Sequence, residues 1–482
     1  MDYITAKEAA SKWGISQRRV QVLCTQGKIQ GAKRLGWAWA IPSEVEKPKD
    51  ARTTNEKKRS IWGDNMLNNM LTNQNKKRLM LETAAELEKW IPKINKNINY
   101  DDDAYQVVDL FCGSGGMSLG FAVAGVLYKK FKLIGGFDIN SDACRSYEEN
   151  FGIPCMQGDV RNLAENNDEY EKFLNAIEYN SKRPTLLIGC APCQGFSSHR
   201  KKHWDEIDER NDLVIAFAKI VKKMKPDCIV MENVPELLSK KYWDYFETMK
   251  KMIEDEGYIV KQAIYNAAAF GVPQERFRSV VIGMKKNFVL PQLLFDKEQY
   301  RTVRDAIGAL PPVSPGEIID SDNYHKCANH KQSTIDVMKQ VPKNGGNRPT
   351  GVGPKCLDKI KGFSDVYGRL KWDVPSITIT GSARNPASGR FVHPEQDRGL
   401  TIREAACLQS FPKGFLFEGK FDSIFMQIGE AVPPLLSSAI ATSVLVDLYD
   451  DEKESCNEEE LLITQPVSSS YSSVIAGIKA RR

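Results

Sequence analysis

Ten consecutive residues pass from an apolar run into a cluster of glycines: Val107-Val108-Asp109-Leu110-Phe111-Cys112-Gly113-Ser114-Gly115-Gly116. The first five are typical of a short buried strand, and the glycines permit a tight turn. Residues 117–126 are apolar and follow as a helix. A ligand can approach the backbone in such a turn, because a helix start offers unpaired N–H groups. Neither the P-loop spacing nor the dinucleotide spacing of glycines is present, so the turn alone does not identify the ligand.

Strands and helices alternate beyond this point. The pattern predicts strands over 133–137, 186–189, 228–231 and 280–283, and helices over 140–150, 167–179, 211–224 and 242–256. This alternation predicts an α/β fold with a doubly wound, Rossmann-like, mainly parallel sheet. Ligands in such sheets bind at the carboxyl ends of the strands. Asp138 ends the second strand, where a carboxylate can bind ribose hydroxyls, and Asp159 ends the third unit, where a carboxylate can bind an adenine amino group. Together these positions indicate an adenosine-containing cofactor.

Composition sets the class of protein. The chain has 482 residues, of which 41% are apolar and 27% charged, which is enough for a substantial core. We expect a soluble, cytoplasmic protein without a membrane partner, because no apolar run nears the roughly 20 residues of a membrane span and the first residues are charged. Eleven scattered cysteines indicate a reducing compartment. The net charge is +5, yet residues 1–60 alone hold thirteen Lys or Arg and six Asp or Glu, which indicates a polyanionic partner near that end.

Residues 1–50 are expected to form a small separate module. Thr5 and Glu8 have the spacing of a capping box, and a first helix is followed by a turn near Gly14 and a second helix. The exposed face of the second helix carries Arg18 and Arg19, which are candidate DNA contacts. A short hairpin then completes the layout of a winged helix-turn-helix, and the segment resembles the excisionase/MerR-like DNA-binding modules. A protein-docking module of the same shape is the alternative.

The remaining boundaries follow from changes in composition. We expect a linker and packing helix over 51–104, a catalytic domain over 105–284, and a separate small domain over 285–400, where Gly, Pro, Asn and Lys interrupt the alternation. A helical return to the catalytic domain follows over 401–449. The acidic and Ser-rich residues 450–482 are expected to be a flexible tail.

Two cysteines lie three residues apart in Gly189-Cys190-Ala191-Pro192-Cys193-Gln194-Gly195-Phe196-Ser197. A redox dithiol is disfavoured because the pair lies deep inside a long α/β chain. A zinc site would need two more ligands, and Cys327 with His330 is the only compact pair, so we expect no metal. The remaining interpretation is a nucleophilic cysteine on a loop at a strand end.

Charged residues follow at the same predicted sheet edge. Glu232 ends an apolar strand, where a carboxylate is costly unless it has a partner or a task, with a structural hydrogen bond as the alternative. Gln274, Arg276 and Arg278 precede the next strand. The two arginines are two residues apart, so we expect them to point to one face.

These blocks, in this order, resemble the cytosine-C5 DNA methyltransferase family, of the bacterial restriction-modification type. The resemblance spans residues 105–447 and includes Asp109 to Gly116, Pro192 to Ser197, Glu232-Asn233-Val234 and Gln274 to Arg278. It continues through residues 400–412 and 427–434.

The resemblance implies S-adenosyl-L-methionine as cofactor. Its pocket would be lined by the residues that match the family's cofactor motifs: Asp109, Phe111, Cys112, Gly113, Gly115, Gly116, Asp138, Ile139, Asp159, Val160, Pro192, Leu213, Glu430 and Ala431. Glu430 departs from the family pattern, which has Asn after that glycine, and adds negative charge near the cofactor.

The resemblance also implies a mechanism. The Cys193 thiolate would attack C6 of a cytosine flipped out of the duplex, and C5 would then take the methyl group. Glu232 would bind N3 and the exocyclic amine, with Gln274, Arg276 and Arg278 completing the catalytic set. Loss of the C5 proton and expulsion of Cys193 would restore the ring.

Double-stranded DNA is the implied partner. Gln194, Ser197, His199 and Arg200 lie on or beside a basic loop, residues 198–211, that we expect to close over the target base, with a merely solvated loop as the alternative. Residues 285–400 would form the target-recognition domain. A monomer is expected, with a cognate restriction endonuclease acting separately. The alternatives are a tRNA cytosine-C5 methyltransferase and a DNA-binding repressor on an inactive methyltransferase scaffold.

Overall fold

The computed structural model describes residues 3–13, 20–21, 23–24, 28–35, 38–47, 71–192, 212–358, 365–450 and 461–467. The chain divides into two compact units, Met1–Asn69 and Met70–Arg482. The predicted small domain over 285–400 lies within the second unit together with the sheet.

The N-terminal unit contains a three-stranded antiparallel sheet. It is built from β1 (Tyr3–Thr5), β2 (Lys33–Leu35) and β3 (Ala38–Pro42), in the order β1-β3-β2. Helix α1 (Ala6–Trp13) begins after Thr5, and the predicted capping box is confirmed: Thr5 N donates to Glu8 Oε2 at 2.8 Å and Glu8 N donates to Thr5 Oγ1 at 3.3 Å. The predicted turn and most of the second helix, with Arg18 and Arg19, lie outside the described residues.

The larger unit is organised around a seven-stranded sheet of order β6-β5-β4-β7-β8-β10-β9. Its strands are β4 (Tyr105–Leu110), β5 (Phe131–Asp138), β6 (Cys155–Gln157), β7 (Thr185–Gly189), β8 (Cys228–Asn233), β9 (Ile259–Asn266) and β10 (Phe277–Met284). The strands from β4 to β8 pair in parallel, whereas β10 is antiparallel to both β8 and β9. The predicted α/β, mainly parallel sheet is therefore confirmed.

Helices connect the strands. Helix α2 (Lys76–Leu87) precedes the first strand of this sheet. The connecting helices are α3 (Gly116–Tyr128), α4 (Ser141–Phe151), α5 (Val160–Glu165), α6 (Asn167–Ala176), α7 (Asp212–Met224) and α8 (Trp243–Glu254). One large apolar core packs α7 and α8 against the sheet; it includes Phe217, Met231 and Phe246.

Strands β6 and β9 were not predicted. Strand β6 has three residues, too few for a periodic pattern. Strand β9 contains the polar residues Lys261 and Gln262, which interrupt an apolar pattern. Gln262 is buried, and its side-chain amide donates to the Ile463 carbonyl.

Residues 285–400 contain little regular structure. Their described helices are α9 (Val303–Ile307) and α10 (Gln332–Lys339). Arg369, which is fully buried, organises the region by donating to the carbonyls of Met338, Val341 and His393.

Part of this region is joined to the sheet. Ser376 bridges Gln274, and Glu275 N donates to the Ser376 carbonyl at 2.8 Å. These contacts tie the chain around residue 376 to the segment that leads into β10.

The chain then returns to the sheet as helices α11 (Ile402–Leu408), α12 (Phe421–Glu430) and α13 (Pro434–Tyr449). The stretch Phe421–Tyr449 is long and apolar enough to span a membrane by length and composition, but 89% of its apolar window is buried inside the fold. We therefore describe it as core. Helix α13 packs on α3, and Ser437 Oγ donates to the Met117 carbonyl.

The prediction of a flexible tail over 450–482 is corrected for residues 461–467. Leu462 pairs with Ala263 of β9, and Ile463 N donates to the Gln262 carbonyl at 3.0 Å. Val467 exchanges backbone hydrogen bonds with Leu238 and Lys240. The apolar residues Leu461, Leu462 and Ile463 explain this packing, since they interrupt an otherwise polar segment.

Candidate active site

The glycine turn lies at the carboxyl end of β4, where α3 begins. Phe111 takes a left-handed backbone, φ 57°, directly after the strand, so β4 ends at Leu110 instead of extending through Phe111 as predicted. Gly113 and Gly115 also have positive φ, 52° and 96°. The chain reverses here because three of five consecutive residues adopt a conformation that glycine favours.

The glycines of this turn serve two purposes. A Cβ at Gly115 would lie 2.3 Å from the Phe151 ring, and one at Gly116 would lie 2.4 Å from the Val432 carbonyl oxygen. Both are required by packing within the chain. A Cβ at Gly113 would meet no atom within 4 Å. Only Gly113 of the three therefore borders open space that a ligand can enter.

Two buried oxygens near the turn accept or donate no hydrogen bond within the described residues. They are Asp109 Oδ1 and Ser114 Oγ. The other carboxyl oxygen of Asp109 accepts from Ser118 Oγ at 2.6 Å. Burial, opposed by the Ser118 hydrogen bond, raises the pKa of Asp109 to about 8.

Asp138 and Ile139 form the neighbouring strand end. Asp138 accepts from the backbone N–H groups of Gly113 and Asn140, both at 2.8 Å, which fixes the turn against β5. Burial raises its pKa despite these bonds. Ile139 is 65% exposed, although isoleucine is ordinarily buried. An exposed apolar side chain beside an open glycine turn fits stacking against a flat heterocycle such as adenine.

Other predicted cofactor residues take different positions. The Cys112 side chain is buried against Cys155, with the sulfur atoms 3.4 Å apart, so it faces the core. Val160 and Leu213 are also buried in the core, whereas Pro192 and Ala431 are half-buried and Glu430 is exposed. Asp159 caps α5 and pairs with Arg161 at 2.6 Å, which lowers its pKa. A ligand contact of Asp159 would share this carboxylate with Arg161.

A second cluster lies at the ends of β7, β8 and β10. Glu232 is 2% exposed at the end of β8. Its Oε1 lies 2.9 Å from Arg278 Nε as an ion pair, although off the direction of a hydrogen bond, and Oε1 accepts none from the described residues. Its Oε2 accepts from Cys190 Sγ at 2.9 Å. A buried carboxylate is thus held in one orientation with an oxygen available.

The loop that follows β7 is fixed to the end of β8. Asn233 Nδ2 donates to the Ala191 carbonyl at 3.2 Å, and Asn233 Oδ1 accepts from Val234 N at 2.8 Å. The backbone that leads to Pro192 is therefore held next to Glu232. Sequence reasoning assigned no role to Cys190 or Asn233; their positions directly after β7 and beside Glu232 were the available signal.

The structure does not place Arg276 beside Arg278 as expected. Arg276 donates to the carbonyls of Ile379, Gly429 and Ala431 at 3.0–3.1 Å. Alternation along a strand does not apply to it, because β10 begins at Phe277. Gln274 likewise donates to the Leu408 carbonyl and accepts from Ile379 N. These contacts give both residues a structural role, and their predicted membership of the catalytic set stays a prediction.

Several predicted residues lie outside the described part of the chain. They are Cys193, Gln194, Ser197, His199 and Arg200. The described residues include no group of three or more His, Cys, Asp or Glu that could hold a metal ion. Cys327 contacts the Ser314 carbonyl, and His330 accepts a hydrogen bond from Gly399 N. Both side chains therefore bind backbone groups.

Comparison with known proteins gives one family. The model of that family, described as C-5 cytosine-specific DNA methylase, matches residues 105–445. The type II methylase M.HgiDII of Herpetosiphon aurantiacus is 34% identical over 351 residues, which cover 70% of this chain and 94% of the relative. The type II methyltransferase M1.HphI of Haemophilus parahaemolyticus is 38% identical over 340 residues, covering 70% of this chain and 86% of the relative.

A solved structure shares the fold. The crystal structure of a prophage-encoded protein of E. coli superposes with a TM-score of 0.57 at 23% identity. The superposition covers 72% of this chain and all of that one.

Proposed function

The chain belongs to the C-5 cytosine-specific DNA methylase family, and from this premise we propose how its residues divide the work of methylating DNA. It is a DNA cytosine-C5 methyltransferase that uses S-adenosylmethionine. The cofactor, when bound, supplies a methyl group on a sulfonium centre. The open space at Gly113, the carboxylate of Asp138 and the exposed Ile139 fit an adenosine group.

Cys193 is the nucleophile in this proposal. Cytosine C5 is a poor nucleophile, and addition of a thiolate at C6 breaks the ring conjugation and makes C5 electron-rich. After C5 is methylated, the C5 proton leaves and the Cys193 sulfur is expelled, which restores the double bond. The target base must leave the duplex stack first, at a cost of a few kcal/mol.

Glu232 orients and activates the base. Its Oε1 is buried and accepts no hydrogen bond from the described residues, which makes it an acceptor for the exocyclic amine of cytosine. This unsatisfied oxygen, aimed from the end of a central strand and paired in charge with Arg278, is the observation that carries the proposal. An acceptor preorganised in a buried site stabilises charge as the attack proceeds.

Methyl incorporation into DNA tests this function. Bisulfite sequencing of DNA from cells that express the protein should reveal 5-methylcytosine in one sequence context, and Cys193→Ala should abolish it. A duplex containing 5-fluorocytosine should trap a covalent adduct, because fluorine cannot leave as a proton does. Absence of both methylation and adduct would refute the proposal. Methyl transfer to tRNA instead of DNA would favour the RNA alternative, and DNA binding without any transfer would favour a repressor.

Residues 1–50 act as a DNA-binding module in our proposal. A helix preceded by a capping box, helical residues at 20–21 and 23–24, and an antiparallel sheet are compatible with a winged helix-turn-helix. Deleting residues 1–60 should weaken DNA binding and lower its dependence on salt while some activity remains. Unchanged affinity and salt dependence would favour the docking module.

The biological role proposed is restriction-modification or host defence. Relatives are named type II methyltransferases, and such enzymes protect host DNA from a nuclease that acts separately. We propose that residues 285–400 read the target sequence, that Gln194, Ser197, His199 and Arg200 contact the DNA around the flipped base, and that the protein acts as a cytoplasmic, nucleoid-associated monomer. Resistance of expressing cells' DNA to a nuclease of the same specificity would test this role.

A further inference from the structure

We infer that Cys190 is a positioning residue for Glu232, an inference that rests on the proposed function. The Cys190 sulfur lies 2.9 Å from Glu232 Oε2, and the cysteine is half-buried at the first position after β7. Its backbone continues the strand, since Cys190 N donates to the Leu110 carbonyl at 3.3 Å. The thiol is therefore anchored by the sheet before it reaches the carboxylate.

The two oxygens of Glu232 have different neighbours. Oε2 takes the Cys190 S–H, whereas Oε1 faces the Arg278 guanidinium without a directed hydrogen bond. Arg278 Nη1 is held at 2.7 Å by the Phe277 carbonyl, which restrains that side chain. A carboxyl group rotates freely about its last bond unless one oxygen is fixed. The thiol supplies this restraint and leaves Oε1 for the base.

The arrangement also links two elements of the site. Cys190 and Asn233 join the β7 loop to the end of β8 by separate bonds, from Cys190 to Glu232 and from Asn233 to the Ala191 carbonyl. The loop continues through Pro192 to Cys193. A donor on this loop thus sets the carboxylate relative to the chain that carries the nucleophile.

Cys190→Ala tests the inference in the full-length protein. The loss of one hydrogen bond to a charged group should lower kcat about tenfold. The KM for duplex DNA should change less than about twofold, because the thiol donates to the Glu232 carboxylate and the inference gives it no contact with DNA. Cys190→Ser should restore most of kcat, since a hydroxyl can donate in the same place. Cys407→Ala, which removes another half-buried thiol, is the matched control and should keep wild-type kcat.

A double-mutant cycle with Glu232→Gln makes the test specific. If Cys190 acts through Glu232, adding Cys190→Ala to Glu232→Gln should lower kcat no further. The inference would be overturned if the losses of kcat in the two single variants multiply in the double variant. Wild-type kcat in Cys190→Ala would overturn it as well. A loss that Cys190→Ser does not restore, accompanied by a lower melting temperature, would show a packing role and overturn it too. Failure of the proposed function is separate, because the wild-type protein would then form no 5-methylcytosine.

Discussion

The proposed cofactor end and the proposed base end of the site lie at the same edge of one sheet but are built from different groups. At β4 and β5 the site is formed largely by backbone in the left-handed conformation and by glycines, and Gly113 borders open space. At β7, β8 and β10 it consists of charged and polar side chains around Glu232. Cofactor binding should weaken when atoms are added to the glycine turn. Catalysis should slow when a charge or a hydrogen-bond donor is removed around Glu232.

The largest effect is expected from Glu232→Gln at the base end. The amide keeps the shape but loses the charge that pairs with Arg278, so kcat should fall about a hundredfold or more while the protein stays folded. Radiolabelled methyl transfer under saturating DNA measures this change. Glu236→Gln is the control, because Glu236 is also buried, its pKa is raised by burial, and it has no proposed role. Equal losses in both variants would contradict the special role of Glu232.

Glycine-to-alanine substitutions at the cofactor end should distinguish the glycine needed for packing from the glycine that borders open space. Gly115→Ala places a Cβ against the Phe151 ring at positive φ and should lower the free energy of unfolding by about 3 kcal/mol. Gly113→Ala meets open space and should cost only about 1 kcal/mol for its backbone, yet raise the Kd for S-adenosylmethionine.

Urea unfolding and calorimetric titration of the cofactor measure these two quantities. A Gly113→Ala variant with wild-type cofactor affinity would show that the open space is not the binding site.

The two arginines before and within β10 provide a sharper comparison. Arg276→Lys should lower the free energy of unfolding by about 2 kcal/mol, because one ammonium group cannot replace a fork that satisfies three carbonyls. Arg278→Lys keeps the positive charge beside Glu232 and should mainly lower kcat. The melting temperature should therefore fall more in Arg276→Lys, and kcat should fall more in Arg278→Lys, when both quantities are measured for both variants. A loss of kcat in Arg276→Lys without a loss of stability would support the predicted catalytic role of Arg276.

The last expected effect is a change of stability with pH that comes from Asp109. Its pKa is raised to about 8 in the folded protein, so the folded state holds a proton that the unfolded state loses near pH 4. Stability from this group is present at low pH and is lost as pH rises toward 8, at up to about 1.4 kcal/mol per pH unit. Asp109→Asn should remove this slope in urea unfolding between pH 5.5 and 8. An identical slope in both proteins would show that Asp109 is ionised when folded.

Sequence reasoning succeeded where one short pattern specifies a local structure. The apolar run and glycines of residues 107–116 specify a strand and turn, and Glu232 at the end of a strand reaches the predicted edge because parallel strands align their carboxyl ends. It failed to place Arg276, which binds distant carbonyls and does not lie beside Arg278, since a side chain that binds carbonyls cannot be told by its residue type from one that binds a ligand.

Residues 285–400 were unpredictable in detail for a related reason. Buried Arg369 holds this region through hydrogen bonds to the carbonyls of Val341 and Met338, which are about thirty residues away in the sequence and leave no periodic trace in it. His393 serves the local backbone: burial lowers its pKa to about 4, and its ring nitrogen accepts hydrogen bonds from the backbone N–H groups of Glu395 and Gln396.

The segment 461–467 has a consequence for solubility. Strand β9 is the outermost strand of the sheet, and Leu462 and Ile463 occupy hydrogen-bonding groups along its free side. Without these residues the outer side of β9 would present unpaired N–H and C=O groups to other chains, which is the usual start of edge-to-edge aggregation. Residues 461–467 follow the last helix and carry none of the proposed site residues, yet they protect the edge of the sheet from pairing with other copies of the chain.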